Sequence, residues 1–79
     1  MEAAIIQVYG ADWCPDCIRV KFLLNDEKVP YKYIDIAHAP EAEEFVRTLS
    51  NGKRIIPTII FPDGRILVEP SNTELLNNL

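Results

Sequence analysis

The hydrophobic pattern of residues 4–36 predicts a strand, a helix and a second strand. Residues 4–9 form a nearly continuous apolar run rich in β-branched side chains, as expected of a strand covered on both faces. Residues 18–27 indicate a helix that begins at the two cysteines before them, and its buried face carries Val20, Leu23 and Leu24. Residues 31–36 are rich in aromatic and β-branched side chains, which favours a strand. Together these elements predict a βαβ unit with parallel strands.

A second helix is predicted after this unit, opened by Pro40 and closed by Asn51-Gly52. Three glutamates crowd its first turn, where negative charge suits the positive end of the helix dipole. Its apolar residues recur at helical spacing, which predicts a buried face made of Ala42, Phe45, Val46 and Leu49.

The last part of the chain indicates a hairpin and a short helix. Two β-rich runs, residues 55–61 and 66–68, flank Asp63-Gly64, a strong signal for a hairpin turn. Residues 71–74 fit a capping box, and the helix after it is expected to bury Leu75, Leu76 and Leu79. The order βαβ, helix, ββα predicts an α/β fold, a four-stranded mixed sheet with three helices on its two faces.

Length and charge limit the classes of function. The chain of 79 residues is expected to be a single domain, residues 1–79, and a monomer. Its net charge of -4 disfavours a nucleic-acid or anionic-membrane partner, which would need clustered Lys and Arg. Glu2 stands where a signal peptide has positive charge, and the apolar run at residues 3–6 is too short for a membrane span. We therefore expect a cytoplasmic protein.

The only two cysteines, Cys14 and Cys17, lie where the first helix begins. A disulfide between them would close a very short loop and contribute little to stability, so redox chemistry is the better explanation for the pair. At the helix N-terminus, unpaired N–H groups and the dipole are expected to lower the pKa of Cys14, which makes it the predicted nucleophile. Cys17, one turn into the helix, is expected to be more buried and to resolve the mixed disulfide that Cys14 forms.

Two carboxylates beside the cysteines are expected to tune this chemistry. Asp16 lies between the cysteines and Asp12 precedes them, and both would repel a thiolate at Cys14. The basic pair Lys53-Arg54 would offset this repulsion if the loop that carries it folds against the cysteines. We therefore predict that the pKa of Cys14 is lowered only moderately.

Four short motifs resemble the glutaredoxin branch of the thioredoxin fold over essentially the whole chain. They are Tyr9-Gly10 before the cysteines, Trp13-Cys14-Pro15-Asp16-Cys17, Ile56-Pro57-Thr58 at the start of a strand, and Phe61-Pro62-Asp63-Gly64 at the hairpin. The resemblance implies a thioredoxin-like fold and a thiol–disulfide oxidoreductase without a tightly bound cofactor. It also implies that Pro57 is a cis proline beside the cysteines and that the Ile56 backbone pairs with the substrate.

The remaining predicted substrate-binding residues surround this motif. Trp13 is expected either in the core or on an exposed docking surface, and Arg54 is a candidate for binding a substrate carboxylate. Thr58 belongs to the Ile-Pro-Thr motif. Ser71 and Asn72 lie where glutathione-using relatives have a Gly-Gly segment. This departure, together with Pro70-Ser71 and residues 42–46, makes the chain more similar to the mycoredoxins, which act on mixed disulfides with mycothiol.

Several alternatives stay open on the sequence alone. The small thiol that serves as cosubstrate is mycothiol, bacillithiol or glutathione. A protein of this kind could instead be recharged by an NADPH-dependent disulfide reductase, as are the electron donors of ribonucleotide reductase. Cys14 from two subunits could hold a [2Fe–2S] cluster with two small thiols. A zinc site would need His38 and carboxylates as ligands in addition to the two cysteines. We prefer the interpretation that the chain binds no metal.

Overall fold

The computed structural model describes residues 5–79, which contain four strands and three α-helices. In chain order these are β1 (Ile6–Gly10), α1 (Pro15–Asp26), β2 (Tyr31–Asp35), α2 (Pro40–Leu49), β3 (Thr58–Ile60), β4 (Ile66–Val68) and α3 (Asn72–Asn77). The strand order in the sheet is β2-β1-β3-β4, with β1 parallel to β2 and antiparallel to β3, and β3 antiparallel to β4. The predicted α/β fold with a mixed four-stranded sheet is confirmed.

Alternation along β1 separates the two faces of the sheet. Ile6 and Val8 point to one face, where they join a buried cluster with α1, β3 and α3 that includes Val20, Leu24, Ile59 and Leu75. Tyr9 points to the other face and packs on Phe45 of α2, with ring centroids 5.4 Å apart. Helices α1 and α3 therefore cover one face and α2 covers the other, as predicted.

Three strands differ from their predicted limits, two of them for local reasons. Strand β2 stops at Asp35 because the Asp35 carboxylate accepts a hydrogen bond from the Ala37 N–H at 2.9 Å, and residues 36–38 form a 3-10 turn. Strand β3 begins only at Thr58, because Pro57 before it has no N–H to donate to a neighbouring strand. The first strand was predicted from Ala4, which lies outside the described residues, and in the structure it begins at Ile6.

Three side chains predicted to be buried are exposed. Phe45 is 40% exposed although it contacts Tyr9, and Leu76 and Leu79 are 43% and 45% exposed. Helix α3 has only six residues, so a single apolar position, Leu75, faces the sheet. The predicted apolar side of this helix was therefore wrong for Leu76 and Leu79.

The predicted turns are confirmed. Asn51 and Gly52 both have positive φ, 56° and 87°, as expected of the left-handed end of a helix. Gly64 has a φ of 94° in the hairpin turn, where its N–H donates to the Phe61 carbonyl at 2.9 Å. None of the helices within residues 5–79 is long and apolar enough to cross a membrane.

Candidate active site

Cys14 is the N-cap residue of α1. Its backbone is extended, with φ -90° and ψ 114°, and its sulfur accepts a hydrogen bond from the Cys17 N–H at 3.2 Å. Pro15 occupies the first helical position, where the lack of an N–H costs nothing. Only 7% of Cys14 is exposed, and its sulfur lies at the positive end of the helix. An N–H aimed at this sulfur stabilises negative charge on it.

Cys17 lies behind Cys14 and is fully buried. Burial in the first place, and the hydrogen bond with the Cys14 sulfur in the second, raise the pKa of Cys17 to about 12. The two cysteines are both reduced, and together with Ala11 and Ile56 they form a small apolar cluster apart from the main core. The predicted difference in burial between the two thiols is confirmed.

Gly10 allows the end of β1 to approach Cys17 closely. A Cβ at this position would lie 2.7 Å from Cys17 Sγ and 3.0 Å from the Tyr33 hydroxyl. Real Cβ atoms essentially never come within 3.0 Å of another heavy atom, so any larger residue would displace the Cys17 sulfur and press on the Tyr33 hydroxyl. The glycine in Tyr9-Gly10 is therefore required by packing.

A groove of about 330 Å³ opens beside Cys14. Its walls come from the N-terminus of α1, the loop before β3 and the loop after β4, and they consist of Trp13, Cys14, Asp16, Arg54, Ile55, Ile56 and Glu69. Four of these residues were predicted to surround the nucleophile, namely Trp13, Asp16, Arg54 and Ile56. The Ile56–Pro57 peptide bond is cis, as the resemblance implied.

Trp13 and Arg54 form one wall of the groove. Trp13 is 62% exposed, which excludes the alternative that it packs in the core. The Arg54 guanidinium lies 5.5 Å from the centre of the Trp13 ring and 3.7 Å from a Glu43 carboxylate oxygen. A cation over an aromatic face is attracted to it, and the contact holds Arg54 at the groove.

Asp16 pairs with a basic residue of its own helix, one that the sequence had not singled out. Its carboxylate lies 3.5 Å from the guanidinium of Arg19, one turn further along α1. Lys53 is exposed and lies outside the groove, so only Arg54 of the basic pair reaches it. Asp12 is exposed and also lies outside the groove.

Three other predicted substrate-binding residues do not line the groove. Thr58 is fully buried, and its hydroxyl donates to the Ile55 carbonyl at 2.8 Å. Ser71 caps α3 by accepting the Glu74 N–H at 3.1 Å, which is half of the predicted capping box. Asn72 accepts a hydrogen bond from Arg19 at 2.7 Å. In this structure all three side chains make intramolecular contacts outside the lining of the groove.

Glu69 lines the groove, although it was not among the predicted site residues. In the sequence it attracted notice only because residues 69–72 replace the Gly-Gly segment of glutathione-using relatives. Its φ of 48° lies in the left-handed region, which is uncommon for a residue of this type. Its N–H donates to the Pro57 carbonyl at 2.8 Å, which ties the end of β4 to the cis proline. With Asp16 it brings a second carboxylate to the groove.

His38 is exposed and pairs with Asp35. Its Nδ1 is 2.8 Å from a carboxylate oxygen of Asp35, and this hydrogen bond raises the pKa of His38. Between residues 5 and 79, no three His, Cys, Asp or Glu side chains gather into a group that could hold a metal ion.

Known proteins match this chain over most of its length. A sequence model of the glutaredoxin family matches residues 6–67. A protein of Mycobacterium tuberculosis whose name places it among the glutaredoxins is 37% identical over 75 residues, which cover 95% of this chain and 89% of that protein. Mycoredoxin 1 of Corynebacterium glutamicum is 32% identical over 71 residues, which cover 90% of this chain and 87% of that protein.

Solved structures also match the fold. A thioredoxin-like protein superposes with a TM-score of 0.81 and 26% identity, over 94% of this chain and 99% of that one. A glutaredoxin from Archaeoglobus fulgidus superposes with a TM-score of 0.75 and 22% identity, over 94% of this chain and 84% of that one. The thioredoxin-like fold expected from the sequence is confirmed.

Proposed function

The chain belongs to the glutaredoxin family and is a thiol–disulfide oxidoreductase, and we propose that it reduces mixed disulfides between proteins and a small thiol. The observation that supports this most strongly is the arrangement of the two sulfurs. Cys14 opens onto the groove and accepts the Cys17 N–H, while Cys17 is buried directly behind it. In this proposal Cys14 reacts with the substrate and Cys17 reacts with the product of that step.

In the first step the Cys14 thiolate attacks the sulfur of the small thiol in the mixed disulfide. The bond between that sulfur and the protein substrate breaks, and the protein substrate leaves as a thiolate that takes a proton from water. A new disulfide joins Cys14 to the small thiol. The Cys17 N–H at 3.2 Å stabilises the thiolate before the attack.

Two routes then regenerate the enzyme. In the monothiol route a second molecule of the small thiol attacks the mixed disulfide on Cys14 and leaves as a disulfide of two small thiols. In the dithiol route Cys17 attacks Cys14, the small thiol departs, and a Cys14–Cys17 disulfide remains for reduction by another thiol or a reductase. The burial of Cys17 next to Cys14 makes the second route available.

Trapping the first intermediate tests this proposal. Reduced Cys17→Ser protein, mixed with a small-thiol mixed disulfide, is expected to gain the mass of one small thiol on Cys14, because the resolving thiol is absent. Intact-protein mass spectrometry with peptide mapping measures the adduct. The proposal fails if Cys17→Ser gains the protein substrate instead, or gains nothing.

The charges in the groove favour one class of small thiol. Two acidic residues line the groove, Asp16 and Glu69, and Asp16 pairs with Arg19. The one basic residue of the lining, Arg54, pairs with Glu43, so Glu69 is the lining charge with no ion pair among the described residues. Glutathione and bacillithiol carry carboxylates, whereas mycothiol carries none, so the groove repels mycothiol least. The similarity to Mycoredoxin 1 supports the same choice, and we propose mycothiol as the preferred cosubstrate.

Glu69→Gln should change this preference. Removing one carboxylate is expected to raise kcat/KM for a glutathione mixed disulfide about fivefold, because repulsion between two charges near water is on the order of 1 kcal/mol. The value for a mycothiol mixed disulfide should stay the same. Glu74→Gln is the matched control, since Glu74 is exposed on α3 outside the groove. Equal changes for both substrates, or none, would contradict a role for Glu69 in selecting the thiol.

A further inference from the structure

Tyr33 reaches from β2 toward the buried cysteine. Its side chain packs against the main core on the α1 face of the sheet, and Lys21 Nζ of α1 lies 4.1 Å from the centre of its ring. The ring is thus held between strand and helix. This clamp leaves the hydroxyl directed to the end of β1, beside Gly10 and Cys17.

The Tyr33 hydroxyl is buried and has no hydrogen-bond partner. Within residues 5–79, no other buried side-chain oxygen or nitrogen lacks a hydrogen-bond partner. An unpaired buried polar group costs free energy, so such a group calls for an explanation. A phenylalanine would fill the same space without that cost.

The neighbour of this hydroxyl is the Cys17 sulfur. The hydroxyl oxygen lies 3.0 Å, and Cys17 Sγ 2.7 Å, from the one point that a Cβ on Gly10 would occupy. The two atoms are therefore at most 5.7 Å apart, the sum of 3.0 and 2.7 Å, and they form no hydrogen bond while Cys17 is a thiol. A thiol is a weak acceptor, whereas a thiolate accepts strong, charge-assisted hydrogen bonds. The unpaired donor thus lies near a sulfur that becomes a good acceptor only when it loses its proton.

We propose that the Tyr33 hydroxyl donates a hydrogen bond to Cys17 as its sulfur becomes a thiolate, and so accelerates the attack of Cys17 on the Cys14 mixed disulfide. The inference rests on the proposed function, since it concerns the dithiol route. Burial, followed by the negative charges nearby, raises the pKa of Tyr33. The phenol therefore keeps its proton at neutral pH and acts as a donor.

The step that Tyr33 assists is a two-electron exchange. The Cys17 thiol loses its proton to water, and its sulfur attacks Cys14 Sγ. The bond between Cys14 and the small thiol breaks as the Cys14–Cys17 bond forms. The small thiol leaves with the electron pair and takes up a proton, so the cysteine pair is oxidised and the small thiol is reduced. Tyr33 stabilises the charge on Cys17 and keeps its own proton throughout.

Stopped-flow reaction with a limiting amount of 5,5′-dithiobis(2-nitrobenzoate) separates the two steps. The first release of yellow thionitrobenzoate reports attack by Cys14, and the second reports attack by Cys17. In Tyr33→Phe we expect an unchanged first phase and a second phase slowed about tenfold, because a hydrogen bond to a charged group is lost. Tyr31→Phe is the matched control, since Tyr31 lies on the same face of β2, and both of its phases should equal those of the wild type.

Thermal melts of the reduced proteins show whether the substitution changes the stability of the fold. Because the lost hydroxyl has no partner, Tyr33→Phe should melt at or above the temperature of the wild type. An unchanged second phase in Tyr33→Phe overturns the inference, and so does equal slowing of both phases. A second phase that persists in Cys17→Ser would instead refute the dithiol route itself, which separates the two failures.

Discussion

Replacing Cys14 by serine is expected to abolish turnover, with kcat/KM for any disulfide substrate reduced by at least about a thousandfold. A serine hydroxyl keeps the position at the helix N-cap and can accept the same N–H from Cys17. It is almost fully protonated at neutral pH and cannot form a disulfide, so the covalent step is lost while the fold is kept.

The measurement is steady-state reduction of a mixed disulfide, accompanied by a thermal melt of Cys14→Ser. Cys17→Ser is the matched control, because it removes one thiol from the same helix and leaves the nucleophile. Cys14→Ser with more than a tenth of the wild-type activity and an intact fold would show that Cys14 is not the nucleophile.

The second large effect concerns stability. Gly10→Ala is expected to destabilise the reduced protein by about 2 kcal/mol, because the new methyl group would lie 2.7 Å from Cys17 Sγ. For a chain of this size, that loss lowers Tm by about 8–16 °C. Calorimetry or a thermal melt followed by circular dichroism measures the change.

A double-mutant cycle assigns this cost to the contact with Cys17. In a Cys17→Ala background the sulfur is absent, and Gly10→Ala should cost about half as much, since the Tyr33 hydroxyl and the Cys17 Cβ remain at 3.0 and 3.1 Å. Wild-type stability in Gly10→Ala would contradict the packing argument. An equal cost in both backgrounds would assign it to the other neighbours.

Elements whose signals are local could be predicted from the sequence. Cys14 at the helix N-terminus follows from Pro15 and the hydrophobic run after it, and the left-handed residues at 51 and 52 follow from Asn-Gly. The cap at Ser71 follows from its spacing to Glu74. In each case the determinant lies within a few residues of the position that it determines.

Features that depend on contacts between distant elements could not be predicted. The Arg19 guanidinium of α1 donates to Asn72 and to the Pro70 carbonyl, across a separation of more than 50 residues. Tyr33 had the pattern of an ordinary strand residue, and only the approach of β2 to α1 brings its hydroxyl to Cys17. Neither contact leaves a periodic or spaced signal in the sequence.

The exposure of side chains near the ends of helices and strands could not be predicted from the sequence either. Leu76 and Leu79 have the helical spacing of a buried face, yet a helix of six residues at the end of the chain covers only the position at Leu75. Glu69 follows β4 and lines the groove with its backbone in the left-handed region, which residues of its type seldom adopt. Such placements depend on how the whole chain closes around the sheet.

The most direct test of the central claim is turnover of wild type and Cys17→Ser on protein mixed disulfides of mycothiol, bacillithiol and glutathione, each with its own free thiol. The proposal predicts rapid turnover with at least one small thiol, highest with mycothiol, and an inactive Cys14→Ser. Retention of that turnover in Cys17→Ser would assign it to the monothiol route, and its loss to the dithiol route. Failure with all three thiols, with disulfide reduction driven only by an NADPH-dependent reductase, would contradict it.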